Sequence, residues 1–212
     1  DICSRLYFEE LTLERILDIT DVENPKGVVT SVGGQTANNL TPKLAKAGIK
    51  LFGTSADDVD RAEDRSKFSA VLDTLHIKQP PWQAFSNFAE AKSFATKVGY
   101  PVLVRPSYVL SGAAMKVVWS QEELSRYVGE ATTLSPDHPV VITKFMLNSL
   151  EVDVDGVSDG KNVFIGALVE HIDAAGVHSG DAMMVIPPWR LSNKQVETIT
   201  DYATRIAKSF NI

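Results

Sequence analysis

RPSYVLSGAAM, residues 105–115, interrupts a run of sequence that otherwise alternates simply between strand and turn. Tyr100-Pro-Val-Leu-Val leads into it as an apolar strand, and Met115-Lys-Val-Val-Trp leaves it as another. A hairpin needs two to five linking residues with turn chemistry. This connection is longer, is rich in Ser, Gly and Ala, and opens on an arginine that a turn does not require. Arg105 ends an apolar strand, where its charge needs a partner or water, because an unpaired buried guanidinium is costly. Two readings follow. One is a structural salt bridge to the acidic stretch at 151–155; the other is a clamp on phosphate oxygens, which match arginine's planar fork. The hydroxyls and small residues at 107–112 favour the clamp, since they can close over an anion and donate backbone N–H groups.

Outward from that loop the chain reads as α/β. Toward the N-terminus, Leu13, Ile16 and Leu17 sit at helical spacing, and residues 27–32 form a strand running into Gly33-Gly34-Gln35-Thr36. A helix over 38–47, closed by Gly48, and a return strand at 49–53 complete a βαβ unit with a right-handed crossover. The glycine pair serves either as a tight turn or as a backbone anion site. No G-x-G-x-x-G or G-x-x-x-x-G-K-[ST] is present. A helix over 61–75 carries a Phe68, Val71, Leu72, Leu75 stripe and ends at Pro80-Pro81. At its start, Arg65 opposes the helix dipole, so it answers an outside anion or one of Asp57, Asp58, Asp60 and Asp64.

Asn87 with Glu90 caps a helix to about Val98, and Ser120 with Glu123 caps another over 121–134. A strand follows at 139–144. From Leu150 the pattern alternates, Leu150, Val152 and Val154 against Glu151, Asp153 and Asp155, toward a turn at Asp159-Gly160 and a strand at 163–169. The carboxylates are either a solvated sheet face or a set in which one takes a ribose hydroxyl while others order basic side chains. Residues 171–184 form a polar loop, a short strand at 185–186 precedes Pro187-Pro188, and Ser192 with Gln195 caps a last helix to about Phe210. Glu170-His171 and His178 match no zinc spacing, no nucleophile motif lies beside either histidine, and no metal ligand is assigned. The three tryptophans and the Met183-Met184 pair read as packing.

The 212 residues carry a formal charge of −6, with 44% apolar and 23% charged residues. An acidic chain argues against a nucleic-acid surface, though not against a local basic cleft for a small phosphate. The single cysteine, Cys3, forms no internal disulfide and fits a reducing compartment. No apolar run is long enough to span a membrane. The chain opens without methionine and is expected to be a piece of something longer.

Five strings in order carry a resemblance: Val32-Gly-Gly-Gln-Thr36, Arg61-Ala-Glu-Asp-Arg65, Val104-Arg-Pro-Ser-Tyr-Val-Leu110, Glu151-Val-Asp-Val-Asp155, and Glu170-His171 followed by Ala175-Gly-Val-His-Ser-Gly-Asp181. Together they resemble the large synthetase component of carbamoyl-phosphate synthase, in its second, C-terminal ATP-grasp half and in a eukaryotic-like wording. The resemblance implies the end of a Rossmann-like pre-ATP-grasp domain (1–56), a first ATP-grasp subdomain with a small mobile lid (57–146), and the start of a large catalytic subdomain (147–212). It implies ATP-dependent phosphorylation of carbamate. Arg65 and Arg105 would act on the ATP phosphates. Lys144, Phe145, Met146 and Leu147 would hold adenine, Glu151 the ribose, and Gly176, Val177, His178 and Ser179 would lie beside the nucleotide. It also implies Mg2+, with metal ligands expected beyond residue 212, so that this stretch alone is expected to be inactive. Ala113 stands where bacterial members carry a further phosphate-binding arginine. Implied partners are the remaining synthetase domains, a bicarbonate-derived substrate and a glutaminase domain or subunit, in a cytoplasmic or alternatively mitochondrial setting. Pathways implied are arginine or pyrimidine biosynthesis or the urea cycle. Another ATP-grasp ligase or carboxylase, and a noncatalytic nucleotide-binding scaffold, are the alternatives.

Overall fold

The computed structural model describes residues 3–85, 87–107, 115–134, 139–177 and 180–212. The loop 108–114 with its Ala113, and both His178 and Ser179, lie outside the described residues. The chain divides into two compact units, Asp1–Asp60 and Arg61–Ile212.

In the first unit, helix α1 (Leu13–Glu23) is capped by the Thr12 hydroxyl and ends at Asn24, whose φ is 44°. Strands β1 (Val28–Val29) and β2 (Leu51–Phe52) pair in parallel, Val28 opposite Leu51. This is the expected βαβ unit, but the crossover is two short helices, α2 (Gly34–Asn38) and α3 (Thr41–Lys46), in place of one over 38–47. Pro42 explains the split: it lacks an N–H and suits a first turn, not a helix interior. The strand is shorter than expected because the chain turns after Thr30, with Gly33 N–H donating to Thr30 O at 3.4 Å. A Cβ on Gly33 would sit 2.4 Å from the Ala37 Cβ, and Gly34 has φ of 67°. The glycines therefore serve the turn. The buried Thr41 hydroxyl donates to Thr30 Oγ1 at 2.8 Å, stitching crossover to strand.

The second unit holds an antiparallel sheet of order β3-β6-β4-β5, made of β3 (Trp82–Phe85), β4 (Val102–Pro106), β5 (Lys116–Val118) and β6 (Val140–Lys144). One face carries the apolar core: Val102, Val104, Val118, Val140, Ile142 and Phe85 are buried there. Helices α6 (Phe88–Val98) and α7 (Gln121–Leu134) cover it through Ala91, Ala95, Leu124 and Val128. The Asn87 and Ser120 caps form as expected. On the other face of the sheet, Arg105 pairs across strands with Val141 and lies near Thr143.

The expected helix over 61–75 is broken. Helix α4 (Ala56–Glu63) stops before Asp64, and α5 (Arg65–Thr74) begins after it. Asp64 is extended, with ψ of 114°, and Oδ1 accepts from Ser66 N and Lys67 N, so it is the N-cap of α5.

A three-stranded antiparallel sheet follows, β7 (Val152–Ser158), β8 (Val163–His171) and β9 (Met184–Val185). The turn at Asp159-Gly160 forms, with Asp159 Oδ1 accepting from Lys161 N and Asn162 N. Helix α8 (Asn193–Ser209) carries the expected Ser192–Gln195 capping box. Phe210 beyond it is 1% exposed and stacks on Phe68 at 5.9 Å, with the Arg61 guanidinium over the same ring.

Candidate functional site

Arg105 is presented by alternation. Its neighbours Val104 and Pro106 point into the core, so the guanidinium emerges on the opposite face at the end of β4. The structural-salt-bridge reading does not hold: among the described residues no carboxylate pairs with Arg105. Among the described residues its one side-chain hydrogen bond is a long contact, Nη2 to Thr143 Oγ1 at 3.5 Å, and its buried Nε has no partner there. Burial pushes its pKa down to about 10, well below the ordinary guanidinium value, and the charge of Arg65 pushes the same way. A drop of that size corresponds to roughly 3 kcal/mol against the charged form. A fold seeking only stability would put an apolar side chain there. A cation kept in this condition suits a ligand that brings negative charge.

Arg65 is held beside it by a second set of bonds. Its N–H donates to Ser107 O at 2.7 Å, and its Nη1 to Pro106 O at 3.0 Å. Burial lowers the Arg65 pKa, while Glu63 and Asp64 pull the other way. Ser107 is fully buried; its N–H donates to Pro139 O and its hydroxyl to Asp64 Oδ1 at 2.7 Å. Both of its donors are used in the fold. The expectation that the Ser107 hydroxyl serves an anion is therefore corrected: Ser107 locks α5 to the end of β4 and so sets the spacing of the two arginines.

At the other end of the same sheet, Lys144 N–H donates to Pro81 O at 2.8 Å and Phe145 N–H to Pro101 O at 3.2 Å. Lys144 Nζ donates to Gly99 O at 2.9 Å. Met146 and Leu147 are exposed, at 55% and 53%, and offer apolar surface next to backbone carbonyls. Glu151 comes next along the chain. Its Oε2 accepts from Gly176 N–H at 2.9 Å, which brings together two candidates that sequence order separates. Among the described residues nothing donates to its Oε1. Val177 is partly exposed in the same turn, its N–H donating to Ala174 O at 3.3 Å.

The carboxylates at 151–155 do not act as one face. Asp153 Oδ2 lies 3.1 Å from Nε2 of the fully buried His171, Glu151 goes to Gly176, and Asp155 is exposed before a bulge. Two contributions had no sequence signal. Asp64 stood as a possible partner for Arg65, but its part as cap and Ser107 acceptor was hidden inside an apparent helix, and Arg190 lies 20 residues from the buried Glu170 it contacts. Only the fold brings such partners together. Among the described residues no group of three His, Cys, Asp or Glu side chains is placed to hold a metal, and no helix is long and apolar enough to cross a membrane.

Arg105 is thus half-buried beside Arg65 at the end of β4, its Nε without a hydrogen-bond partner among the described residues. Residues 64–212 match the carbamoyl-phosphate synthase L chain, ATP binding domain, and residues 1–61 match the carbamoyl phosphate synthase preATP-grasp domain. This chain belongs to the carbamoyl-phosphate synthase large-chain family. It is 52% identical over its whole length to the mitochondrial, ammonia-type carbamoyl-phosphate synthase of Rattus norvegicus, of which it covers 14%. It is 49% identical to the arginine-specific large chain of Cutaneotrichosporon cutaneum, covering 18%. To the large chain of Pyrococcus furiosus it is 53% identical, covering 20%. The chain thus spans a fifth or less of these relatives, and its identity to an archaeal chain is as high as to eukaryotic ones.

Solved structures agree on the fold. The biotin carboxylase domain of Hydrogenobacter thermophilus 2-oxoglutarate carboxylase, solved with MgADP, ADP and bicarbonate, superposes with a TM-score of 0.77 at 18% identity, over 97% of this chain and 48% of that one. A D-alanyl-alanine synthetase from Vibrio cholerae gives 0.70 at 18% identity, over 84% and 56%. The carbamoyl-phosphate synthase fold here is thus of the ATP-grasp type: pre-ATP-grasp residues followed by an ATP-grasp domain.

Proposed function

We propose that these residues are the ATP-binding part of the carbamoyl-phosphate synthase half that phosphorylates carbamate, giving carbamoyl phosphate and ADP in the complete protein. The observation that carries the reading is Arg105, a cation beside Arg65 whose buried Nε has no hydrogen-bond partner among the described residues. Both guanidiniums would hold phosphate oxygens and stay charged at neutral pH, attracting the polyphosphate and offsetting charge as the phosphoryl group moves. Residues 57–146 supply the first subdomain and lid in this reading, and 147–212 begin the larger one. Lys144, Phe145, Met146 and Leu147 would line the adenine, Glu151 would accept from a ribose hydroxyl through Oε1, and Gly176, Val177, His178 and Ser179 would border the nucleotide.

ATP, when bound, supplies the transferred phosphoryl group. Magnesium offsets the charge of such transfers; the described residues hold no donor set for it, and no step here runs through it. Carbamate decomposes readily in water, so a closed, water-poor site protects it. The remaining synthetase domains and a glutaminase domain or subunit are the partners this reading implies, and the mitochondrial names among the relatives make that compartment an alternative to the cytoplasm.

In the complete synthase, Arg105→Ala should abolish carbamate-dependent ATP turnover while leaving the fold intact by circular dichroism. Unchanged carbamoyl phosphate output and unchanged nucleotide affinity would falsify the assignment.

A further inference from the structure

Strand β8 ends in two polar side chains with no exposed surface, Glu170 and His171. The Glu170 carboxylate accepts from Trp189 N at 2.9 Å, from Arg190 N at 3.0 Å and from Arg190 Nε. The same guanidinium reaches on with Nη2 to His171 O. One arginine therefore grips the side chain of one residue and the carbonyl of the next. His171 N–H donates to Glu151 O at 3.0 Å, and the Glu151 carboxylate accepts from Gly176 N. The contacts form an unbroken series, Arg190 to Glu170 and His171, His171 to Glu151, Glu151 to Gly176.

Buried ion pairs are poor stability devices, because well-packed apolar residues do as well; their attested use is to fix one arrangement over others. β8 is otherwise apolar through Ala167, Leu168 and Val169, and apolar residues at 170 and 171 would continue that packing. What the ion pair adds is a fixed backbone at the point where the strand meets Glu151. We infer that Arg190 is a positioning residue: its two-limbed grip on Glu170 and on the His171 carbonyl sets the register of Glu151 and Gly176, and through them the affinity for the ribose end of the nucleotide. This rests on the reading of Glu151 and Gly176 as nucleotide contacts. Arg190 touches no substrate in it.

The test uses the complete synthase with Arg190→Lys and Arg190→Met. Lysine keeps a charge for Glu170 but cannot make both contacts; methionine keeps the stem and loses both. The readouts are KM for ATP, kcat for carbamoyl phosphate formation, and amide hydrogen exchange in the peptide covering residues 172–183. The expected result is a KM for ATP raised about 5–20-fold in Arg190→Met and about 3-fold in Arg190→Lys, with kcat within 2-fold and faster exchange confined to that peptide. These sizes fit the loss of preorganisation in one hydrogen-bonded contact. An unchanged KM in both variants overturns the inference, as does a fall in kcat that follows a general rise in exchange across the domain. If Arg190→Met does not accumulate as folded protein, Arg190→Lys decides by the same criteria. Wild-type protein that neither binds nor turns over ATP would defeat the nucleotide reading itself, a result distinct from a wild type that works alongside variants that match it.

Discussion

Ser107 Oγ donates to Asp64 Oδ1 at 2.7 Å, and both side chains are buried. The same oxygen caps α5 through Ser66 N and Lys67 N, so one carboxylate fixes the helix start, the strand end and the two arginines next to them. Asp64→Ala should cost about 0.5–2 kcal/mol for the cap and about 1–3 kcal/mol for the stranded hydroxyl. Asp64→Asn, which keeps an acceptor, should cost less than half as much. Native-state hydrogen exchange of α5 in the complete protein measures this locally, where a global unfolding curve of a multidomain chain does not. Equal opening free energies for Asn and Ala would remove the capping account.

Arg105 carries a stability cost that its ligand should relieve. The folded guanidinium binds its proton less tightly than an unfolded one, its pKa pushed down to about 10. The unfolded state therefore holds the proton more firmly: the cost is fully present below about pH 10 and fades as pH rises above it. Arg105→Met should stabilise the ligand-free protein at neutral pH by up to roughly 3 kcal/mol, and the gain should shrink above pH 10. Inorganic pyrophosphate should stabilise wild type and not the variant. A ligand-free Arg105→Met protein less stable than wild type would show that the guanidinium is already satisfied.

Glu151 is expected to meet a ribose hydroxyl with Oε1 while Oε2 stays on Gly176. Glu151→Gln should weaken ATP binding by about 1.5–3 kcal/mol, the size of a hydrogen bond to a charged group. Calorimetry with ATP and with its 2′,3′-dideoxy analogue separates the contributions, because the variant's penalty should vanish for the analogue. The same penalty for both nucleotides points away from the sugar.

The buried Glu170 titrates in the opposite sense to Arg105. Burial works to raise its pKa, yet the Arg190 side chain and the Arg190 and Trp189 N–H groups together hold it below its ordinary 4.5. A depressed carboxylate contributes stability that is complete above the unfolded value and is lost as pH falls through the folded one. Wild type should therefore exceed Glu170→Gln in stability at neutral pH, with the gap closing below about pH 4.5. Thermal scans of both proteins across pH 3–7 check this, and a gap that stays constant would mean the charge of Glu170 contributes nothing.

Local chemistry written into the sequence was enough for the caps at Asn87, Ser120 and Ser192 and the turn at Asp159-Gly160, since each depends on residues a few positions apart, and the order strand, helix, strand was enough for the parallel βαβ unit. Five short strings in order were enough for the family. Arg105 was marked as unusual by its place at the end of an apolar strand. Tertiary structure alone decided what answers each charge: that Arg105 meets no carboxylate among the described residues, that Ser107 serves Asp64, that Asp153 goes to His171, and that Arg190 closes on Glu170. Those outcomes turn on distances between residues 18 to 43 positions apart. A hydrogen bond is won or lost within about an ångström, and no periodicity or propensity along the chain carries that information.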